Sequence, residues 1–277
     1  MDLGMKDKVA MVTGGSQGIG RAIALGLARE GVRVAICGRT PDILEATAES
    51  IESETGVRVL PVIADVMVAA DLERFVQATV EEFGTVDIAI NNADLITHDV
   101  GFFDLRDEDW QEKMDLKLFA PIRLTRLVAP IMQANGWGRI INIGGSSARK
   151  VHEVGWAKGA TQPGLINLTK RLAWLLGRDG ITVNLVEPGI VWTEGHTRTG
   201  GKSRAEARSE ALAQRAEREG ISYEEMDRLA LAELVIGRRI ESEDVANIVV
   251  FMASPLSGAV TGETILVDGG EMPTVRF

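Results

Sequence analysis

A glycine-rich stretch near the amino terminus restricts the fold of this chain more than any other segment. It reads Thr13-Gly14-Gly15-Ser16-Gln17-Gly18-Ile19-Gly20 and lies between the apolar run 9–12 and a helical pattern that begins at Arg21. Glycine tolerates positive φ angles and close backbone approach, and the free N–H groups at a helix start attract an anion. The sequence therefore predicts a strand, a phosphate-binding turn and a helix. Because the glycine spacing differs from the common dinucleotide fingerprint, a tight turn without a ligand is the alternative.

Apolar segments of strand length alternate with helical patterns along most of the remaining chain. After the first strand, we predict strands over residues 33–37, 57–63, 86–90, 139–143, 181–186 and 264–267. The main helices are predicted over residues 41–54, 72–83, 108–134, 164–177 and 242–252. This alternation predicts a parallel sheet covered on both faces, and right-handed crossovers make it a doubly wound, Rossmann-like α/β fold.

One segment, residues 195–241, interrupts this alternation. Residues 204–219 within it are rich in alanine, arginine and glutamate at helical spacing. Since the segment follows a strand, we expect it over the carboxyl edge of the sheet, where open α/β folds bind ligands. No repeat, low-complexity tract or linker divides the chain. We therefore predict one nucleotide-binding domain of residues 1–277, with this insertion as a helical lid over a substrate pocket.

The charge balance argues against some classes of partner. The 40 acidic and 30 basic residues give a formal net charge of −10, which argues against nucleic acid or an anionic membrane. Cys37 is the only cysteine and stands in an apolar strand pattern, so we interpret it as a buried core residue rather than a nucleophile. Because the sequence allows no intrachain disulfide and shows neither a signal-like segment nor an apolar run of transmembrane length, we expect a cytoplasmic protein.

Further motifs follow the glycine-rich turn in order: Asn91-Asn92-Ala93, Ile141-Asn142-Ile143, Val183-Asn184, Pro188-Gly189 with Thr193, and Asp268-Gly269-Gly270. Together with that turn they resemble the short-chain dehydrogenase/reductase family over about residues 8–270, nearly the whole chain. The resemblance implies an oxidoreductase that uses a nicotinamide dinucleotide and a small alcohol or carbonyl substrate. It also implies a homo-oligomer, because the family usually forms dimers or tetramers through its long central helices.

The same resemblance assigns residues to the parts of the dinucleotide. The glycine-rich turn would hold the pyrophosphate through Gly14, Ser16, Gln17, Gly18, Ile19 and Gly20. The adenosine part would contact residues that follow two other strands: Asp65, Val66, Asn91 and Ala93. The nicotinamide carboxamide would be fixed by Pro188, Gly189, Val191 and Thr193.

The end of the second predicted strand bears on the choice between NADP and NAD. The sequence Ile36-Cys37-Gly38-Arg39-Thr40 offers no acidic residue for a ribose 2′-hydroxyl. Arg39 instead supplies a planar guanidinium suited to a 2′-phosphate. We therefore predict NADP(H) rather than NAD(H), the alternative being that Arg39 is a solvated residue ahead of the next helix.

The residues that would carry the family's chemistry differ here. In the family a tyrosine exchanges a proton with the substrate oxygen, a lysine four residues later assists it, an upstream serine positions the carbonyl, and an asparagine on the long helix holds a water. We anchor the alignment on Asn142 and on residues 164–166. Gly145 then stands at the serine position and Lys158 at the tyrosine position. Gln162 stands at the lysine position and Asp115 at the asparagine position.

The absence of the tyrosine does not depend on this alignment, because the chain has a single tyrosine. Tyr223 lies in the predicted lid, and Asp227 stands four residues later, so the sequence contains no Tyr-x-x-x-Lys. A shift of one or two residues would recruit Ser146 or Ser147 as the hydroxyl. Lys158 is the candidate substitute for the proton donor, the alternative being an ordinary surface lysine near a helix start.

Three functions remain open from the sequence. The first is an NADP(H)-dependent oxidoreductase with a rebuilt catalytic set drawn from Lys158, Ser146, Asp115 and Gln162, with Tyr223 of the lid as a further candidate. The second is a cofactor-binding protein without redox turnover, acting as a sensor or as an inactive partner in an oligomer. The third is a lyase or isomerase that uses the same pocket.

Histidines and tryptophans add little to this choice. The three histidines are dispersed, without the paired spacing of metal ligands, so no metal site is predicted: His98, His152 and His196. His152 stands in a loop expected to border the pocket and is a further candidate base, the favoured alternative being a solvated loop histidine. Trp156 and Trp192 fall in segments expected near the pocket, which favours an apolar substrate, although core packing explains them as well.

Overall fold

The computed structural model describes residues 2–95, 101–149, 155–193, 203–232 and 234–272. Its strands are β1 Val9–Thr13, β2 Arg33–Gly38, β3 Val59–Ile63, β4 Ile88–Asn91, β5 Gly138–Ile143, β6 Ile181–Pro188, β7 Val191–Trp192, β8 Ile240–Glu241 and β9 Thr264–Val267. Its α-helices are α1 Gly18–Arg29, α2 Pro41–Thr55, α3 Ala69–Phe83, α4 Asp107–Met114, α5 Ala120–Asn135, α6 Trp156–Leu176, α7 Arg204–Glu219, α8 Tyr223–Ala232 and α9 Ser242–Ala253.

Seven of the strands form one parallel sheet in the order β3-β2-β1-β4-β5-β6-β9. In register, Val12 of β1 lies beside Ile36 of β2 and beside Ile90 of β4. The direction of strand succession reverses between β1 and β4, and ligands of open α/β sheets bind in the crevice at such a reversal. The predicted doubly wound, Rossmann-like fold is confirmed, and β1 and β4 bring the glycine-rich turn and Asn91-Asn92-Ala93 to that crevice.

The core lies on both faces of this sheet. Alternate residues of one strand face opposite sides, so Val12 packs with α1 and α9 residues, whereas Met11 packs with residues of α3 and α5. Each residue of β1 is buried, as is typical of a central parallel strand with helices on both faces. The position of the strand ends, and therefore of the candidate site, is fixed by these two apolar layers.

The long helix predicted over residues 108–134 is interrupted. Between α4 and α5, residues Asp115–Phe119 form a π-helical turn, in which the N–H of Ala120 donates to the carbonyl of Asp115, five residues earlier. Proline has no N–H, so Pro121 cannot donate to the carbonyl of Lys117, as the α-helical pattern would require. π-helical turns inside α-helices often occur at functional sites. This one carries Lys117 toward the end of β5.

Helix α6 begins at Trp156, two turns before the predicted start at residue 164. Proline and glycine are unfavourable in a helix interior. Pro163 and Gly164 therefore suggest a helix start at residue 164, and the two helical turns before them are missed in the sequence. Gly155, with φ of 77°, precedes the helix and sets the direction of the chain. The earlier start places Lys158 and Gln162 one turn apart on the same helix.

The insertion contains a helix with the bounds that the sequence predicts, α7 at Arg204–Glu219, and a second helix, α8. The Ser203 hydroxyl accepts a hydrogen bond from the N–H of Glu206, whose carboxylate accepts one from the N–H of Ser203. Strands β7 and β8, which were not predicted, pair in parallel at the two ends of the insertion. A lid function for residues 195–241 and the single-domain division remain predictions. Among the described residues, no helix combines the length and apolar character of a membrane span.

Cys37 gives a test of this core. Burial raises the pKa of its thiol to about 12, from an ordinary value of 9.0. At pH 8 we expect an aromatic disulfide reagent to leave the native thiol unmodified, because only roughly one thiol in 10⁴ is ionised, and to label it at once in denaturant. The shift also implies that folding stability falls between pH 9 and pH 12, since the unfolded thiol ionises first. Rapid labelling of the native protein would contradict a closed core around β2.

Candidate active site

The glycine-rich turn leaves the start of α1 open to an anion. Gly14 and Gly18 have positive φ angles of 63° and 51°. A Cβ on Gly20 would overlap the carbonyl oxygen of Gly14, so the helix start packs directly on the turn. Gln17, at the N-cap, forms no side-chain capping hydrogen bond, and the first turn of α1 contains no acidic residue. The first N–H groups of α1 and the positive helix end therefore fit a pyrophosphate.

A clasp between β1 and β4 fixes this turn. The Thr13 hydroxyl donates to the carbonyl of Ile90 at 3.2 Å and accepts from the N–H groups of Asn92 and Ala93 at 2.9 and 3.1 Å. The Asn92 amide donates to the carbonyls of Thr13 and Gly14 at 2.9 and 3.2 Å. Asn92 was not among the predicted site residues, although it belongs to the motif that carried the resemblance. Its side-chain amide N–H groups therefore hold the turn.

At the end of β2, Arg39 stands beside Asp65. The guanidinium Nη1 lies 3.8 Å from Asp65 Oδ2, and the side chain is 34% exposed. The described residues give this guanidinium no hydrogen bond, so its donors remain available to a ligand. Asp65 also accepts from the N–H of Met67 at 3.0 Å, which fixes its carboxylate. Val66 is buried.

The Asn91 side chain is already hydrogen-bonded within the protein core. Its amide donates to Asn142 Oδ1 at 2.9 Å, and the Asn142 amide donates to the Thr169 hydroxyl at 2.8 Å. All three side chains are buried. They join β4, β5 and α6 by polar contacts inside the core. Ala93, which follows, lies half-buried beside the glycine-rich turn, where a Cβ on Gly14 would approach it to 3.0 Å.

The segment after β6 is fixed against the end of β9. The N–H of Gly189 donates to the carbonyl of Val267, and a Cβ on Gly189 would lie 2.9 Å from Asp268, which excludes larger residues. Val191 is buried in β7, and the carbonyl of Thr193 accepts from the N–H of Ala205 at the start of α7. Together with Pro188 at the end of β6, these residues lie at the carboxyl edge of the sheet.

Three lysines meet one carboxylate at this edge of the sheet. Asp94 Oδ2 lies 2.9 Å from Lys158 Nζ and 4.0 Å from Lys117 Nζ, and its Oδ1 lies 3.3 Å from Lys113 Nζ. Lys113 and Lys117 are 1% and 3% exposed, whereas Lys158 is 25% exposed. Buried charges are costly unless they are paired and hydrogen-bonded. We call these four side chains the Asp94 cluster.

Backbone carbonyls complete the hydrogen bonding of the two buried lysines. Lys113 donates to the carbonyl of Leu95 at 2.8 Å, and Lys117 donates to the carbonyl of Ile143, at the end of β5, at 3.0 Å. The cluster therefore joins β4, β5, the interrupted helix and α6. None of Asp94, Lys113 and Lys117 was predicted as a site residue. The available signal was two lysines four residues apart on an otherwise apolar helix face.

Lys158 faces Gly145, the residue that our alignment places at the family's serine position. A Cβ on Gly145 would lie 3.4 Å from Lys158 Cε and 3.6 Å from its Nζ. The position predicted for the hydroxyl and the position predicted for the proton donor are therefore neighbours. Ser146 begins a 3₁₀ turn directly after Gly145, and the Ser147 hydroxyl is buried without a hydrogen-bond partner among the described residues.

Gln162 is completely buried one turn after Lys158. Neither its Oε1 nor its Nε2 has a hydrogen-bond partner among the described residues, and a Cβ on Gly144 would lie 3.0 Å from its Oε1. An unpaired buried amide destabilises a protein, so this side chain is an exception to the usual pairing of polar groups in the core. If our alignment of Gln162 with the family's lysine holds, a neutral amide supplies no charge at that position.

The remaining predicted residues lie away from this cluster. Asp115 accepts hydrogen bonds from Arg123 at 3.2 Å and from Gln111 at 3.0 Å, so the structure does not bring it to Lys158. Lys113 and Lys117, two residues before and two residues after it, are the groups from this helix that reach the site. Tyr223 begins α8, and among the described residues no hydrogen bond joins it to the Asp94 cluster.

The two tryptophans singled out in the sequence lie within the described residues, whereas the histidines do not. Trp156 is 41% exposed and packs against the ring of Phe102 with centroids 5.5 Å apart, whereas the Trp192 ring lies 3.9 Å from the Arg239 guanidinium. The three histidines lie outside the described residues. Within the described part of the chain, no group of histidine, cysteine and acidic side chains is arranged to hold a metal ion.

Comparisons with known proteins extend over this whole arrangement. Residues 8–203 match the family model of the short chain dehydrogenases, and residues 215–271 match a model described as enoyl-(acyl carrier protein) reductase. The chain is 36% identical to the short-chain reductase protein NovJ of Streptomyces niveus over 96% of this chain and 94% of the relative. It is 34% identical to the 3-oxoacyl-[acyl-carrier-protein] reductase FabG of Escherichia coli over 97% and 98% of the two chains.

A solved structure matches in three dimensions as well. The L-sorbose reductase of Gluconobacter frateurii, complexed with NADPH and L-sorbose, superposes with a TM-score of 0.88 at 31% identity, covering 99% of this chain and all of the other. The glycine-rich turn and the sheet order that we describe are thus parts of an arrangement shared along nearly the entire chain.

Gly20 gives a direct test of the glycine-rich turn. The substitution Gly20→Ala should weaken dinucleotide binding at least about tenfold, because the new methyl group would displace the Gly14 carbonyl and with it the first N–H groups of α1. Gly177→Ala is a matched control, since a Cβ at residue 177 has no neighbour within 4 Å. Titration followed by nicotinamide fluorescence measures both. Unchanged binding by the Gly20 variant would place the dinucleotide elsewhere.

Proposed function

The chain belongs to the short-chain dehydrogenase family, and from this premise we propose that it is an NADP(H)-dependent oxidoreductase with an atypical catalytic set. Its reaction interconverts a small carbonyl compound and the corresponding alcohol, with Lys158 in the position of the family's tyrosine. The observation that carries the proposal is the 2.9 Å ion pair between Lys158 and Asp94 beside Gly145.

Lys158 is suited to hold and move a proton at its Nζ. An ammonium group has three donors, so Lys158 can keep one hydrogen bond to Asp94 and direct another toward a carbonyl oxygen beside Gly145. When NADPH is bound, it supplies the hydride for the carbonyl carbon. The Lys158 ammonium then gives its proton to the oxygen, which gains negative charge as the hydride arrives.

The other members of the Asp94 cluster position this donor. The buried amines of Lys113 and Lys117 hold Asp94, and Asp94 in turn fixes Lys158 Nζ. Gly145 leaves space for the substrate where the family has a serine side chain, and the Ser146 and Ser147 hydroxyls lie next along the chain. Gln162 supports the floor of the site as a neutral residue. We assign no catalytic role to Asp115.

Arg39 supports NADP(H) as the cofactor. Its guanidinium is partly exposed at the end of β2 and has no hydrogen bond among the described residues, which suits a 2′-phosphate. Two of the similar solved structures, the L-sorbose reductase and the actinorhodin polyketide ketoreductase, contain NADPH. Asp65 would then contact the adenosine side and hold Arg39 in place.

A second candidate is a cofactor-binding protein without redox turnover. The features that favour it are the glycine at the serine position, the neutral Gln162, and the location of the only tyrosine in α8. A lyase or isomerase that uses the ionisable groups of the Asp94 cluster is a third.

In all three cases we propose a cytoplasmic homo-oligomer. Trp174 and Leu175 of α6, which are 86% and 61% exposed, are candidates for its apolar interface.

The Lys158→Met substitution tests the proton donor. It should lower kcat for carbonyl reduction by about 10²–10⁴-fold while leaving NADPH binding within a few-fold, because a positioned acid contributes about that factor. Lys170→Met, an exposed lysine of the same helix paired with Glu263, should retain full activity. Steady-state NADPH oxidation over a broad panel of carbonyl compounds provides the measurement.

Wild-type protein that binds NADPH but turns over no member of the carbonyl and alcohol panels would favour the second or third candidate. Equal turnover by wild type and Lys158→Met would leave the oxidoreductase assignment in place and remove Lys158 from it.

Arg39→Ser tests the cofactor choice separately. Loss of the guanidinium should weaken NADPH binding about 10–100-fold and leave NADH binding nearly unchanged, because only NADPH carries the 2′-phosphate. Arg29→Ser removes an exposed arginine that pairs with Glu54 and should change neither affinity. Tighter binding of NADH than NADPH by the wild-type protein would overturn the assignment.

A further inference from the structure

A second ion pair lies at the carboxyl edge of the sheet, outside the Asp94 cluster. Arg149 Nε donates to Glu187 Oε2 at 2.8 Å. Glu187 is completely buried in β6, whereas the Arg149 side chain is 27% exposed. Arg149 follows the 3₁₀ turn Ser146–Ala148, directly after the end of β5. A charged group is therefore anchored in the core at one end and open to solvent at the other.

Within the described part of the chain, the fold does not use the terminal nitrogens of Arg149. Among the described residues, Nη1 and Nη2 make no hydrogen bond, and Nε is the only donor of the guanidinium that is engaged. A guanidinium carries five N–H donors in a rigid plane that matches the two oxygens of a carboxylate. Because Glu187 restrains Nε, the terminal nitrogens can bind an anion with little further loss of side-chain entropy.

This ion pair and Lys158 border the same short piece of backbone. A Cβ on Gly144 would lie 3.3 Å from Glu187 Cγ, and a Cβ on Gly145 would lie 3.6 Å from Lys158 Nζ. Gly144 and Gly145 are consecutive, so the anchor of Arg149 and the proposed proton donor stand beside neighbouring residues. A molecule bound beside these two glycines would therefore have the Arg149–Glu187 pair on one side and Lys158 on the other.

We propose that Arg149 is a specificity-determining residue that binds a carboxylate of the substrate, so that the substrate class is an oxo acid and the corresponding hydroxy acid. This inference rests on the proposed function. The carbonyl carbon accepts a hydride from NADPH, which becomes NADP⁺, and the carbonyl oxygen accepts a proton from Lys158 Nζ. The carboxylate stays intact and holds the molecule on Arg149 throughout the reaction.

The assignment differs from the apolar substrate that the tryptophan positions favour. Trp192 is covered by Arg239, and Trp156 packs on Phe102, so both rings already have partners in the structure. Arg149 is instead a charged residue whose Nε is held by Glu187 and whose terminal nitrogens have no hydrogen-bond partner among the described residues. A group that is held in this way favours an anionic ligand over an apolar one.

The test compares charged and uncharged forms of the same carbonyl compounds. The probes are 2-oxobutanoate and 4-oxopentanoate, each against its own primary amide, in a buffer without other carboxylates. Calorimetry of the protein saturated with NADP⁺ measures binding, and NADPH oxidation measures turnover. We expect at least one acid to bind roughly tenfold or more tightly than its amide, because a charge-assisted bidentate contact is lost in the amide.

In Arg149→Gln that preference should fall to within about twofold, with NADPH affinity unchanged. Arg178→Gln, an exposed arginine after α6, should keep the wild-type preference. Since Arg149→Gln leaves the Glu187 carboxylate buried without the guanidinium, the double variant R149Q/E187Q serves as a second test if the single variant folds poorly. Its preference for the acid should be lost as well.

Three binding results would overturn the inference: equal binding of acids and amides by the wild type, a preference that survives in both Arg149 variants, or Arg149-dependent binding of inorganic phosphate that is tenfold tighter than that of acetate. Turnover of the amides as fast as the acids would likewise remove it while leaving the proposed oxidoreductase intact. Acids that bind through Arg149 but are not turned over would support the inference and count against the proposed function.

Discussion

The rest of the site depends on the pairing of buried charge at Asp94. Two nearly inaccessible lysines, Lys113 and Lys117, point to the same carboxylate that holds Lys158. Breaking a buried ion pair by removing one partner typically costs about 3–5 kcal/mol, so such groups constrain one another. The cost of burying these amines is offset by a carboxylate and by backbone carbonyls at the ends of two strands. One consequence is that Lys158 Nζ is held in a defined place.

The parallel sheet determines where this cluster can form. Carboxyl ends of β1, β4, β5 and β6 meet at one edge, and each contributes a different element of the site. The glycine-rich turn follows β1, Asp94 follows β4, Gly145 follows β5, and Glu187 belongs to the end of β6. Residues that are far apart in sequence become neighbours because the strands are parallel and their crossovers have one hand. The glycine-rich turn and the Asp94 cluster therefore lie at the same edge of the sheet.

Sequence reasoning predicted those parts of this arrangement that have local signals. The glycine-rich turn and the bounds of α7 and β9 follow from spacing and composition, and the order of motifs indicated the family. The Asp94 cluster had only the weak signal of two lysines on an apolar helix face, because such a lysine is interpreted as a solvated residue until its partner from another strand is known. The same holds for Arg149 and Glu187, which pair across 38 residues. Pro163 concealed the true start of α6, and with it the helical spacing of Lys158 and Gln162.

In the proposed reaction, the Asp94 cluster places Lys158 Nζ where a carbonyl oxygen is reduced. A crystal structure of the protein with NADP⁺ and a carbonyl or alcohol ligand tests this placement most directly, through the distance from Lys158 Nζ to the ligand oxygen. The ligand's reacting carbon should lie about 3–3.5 Å from nicotinamide C4. We predict a hydrogen-bond distance of about 3 Å from Nζ to that oxygen, with the 2.9 Å contact to Asp94 retained. A nicotinamide ring bound away from Gly145, or a Lys158 side chain turned out of the crevice, would contradict it.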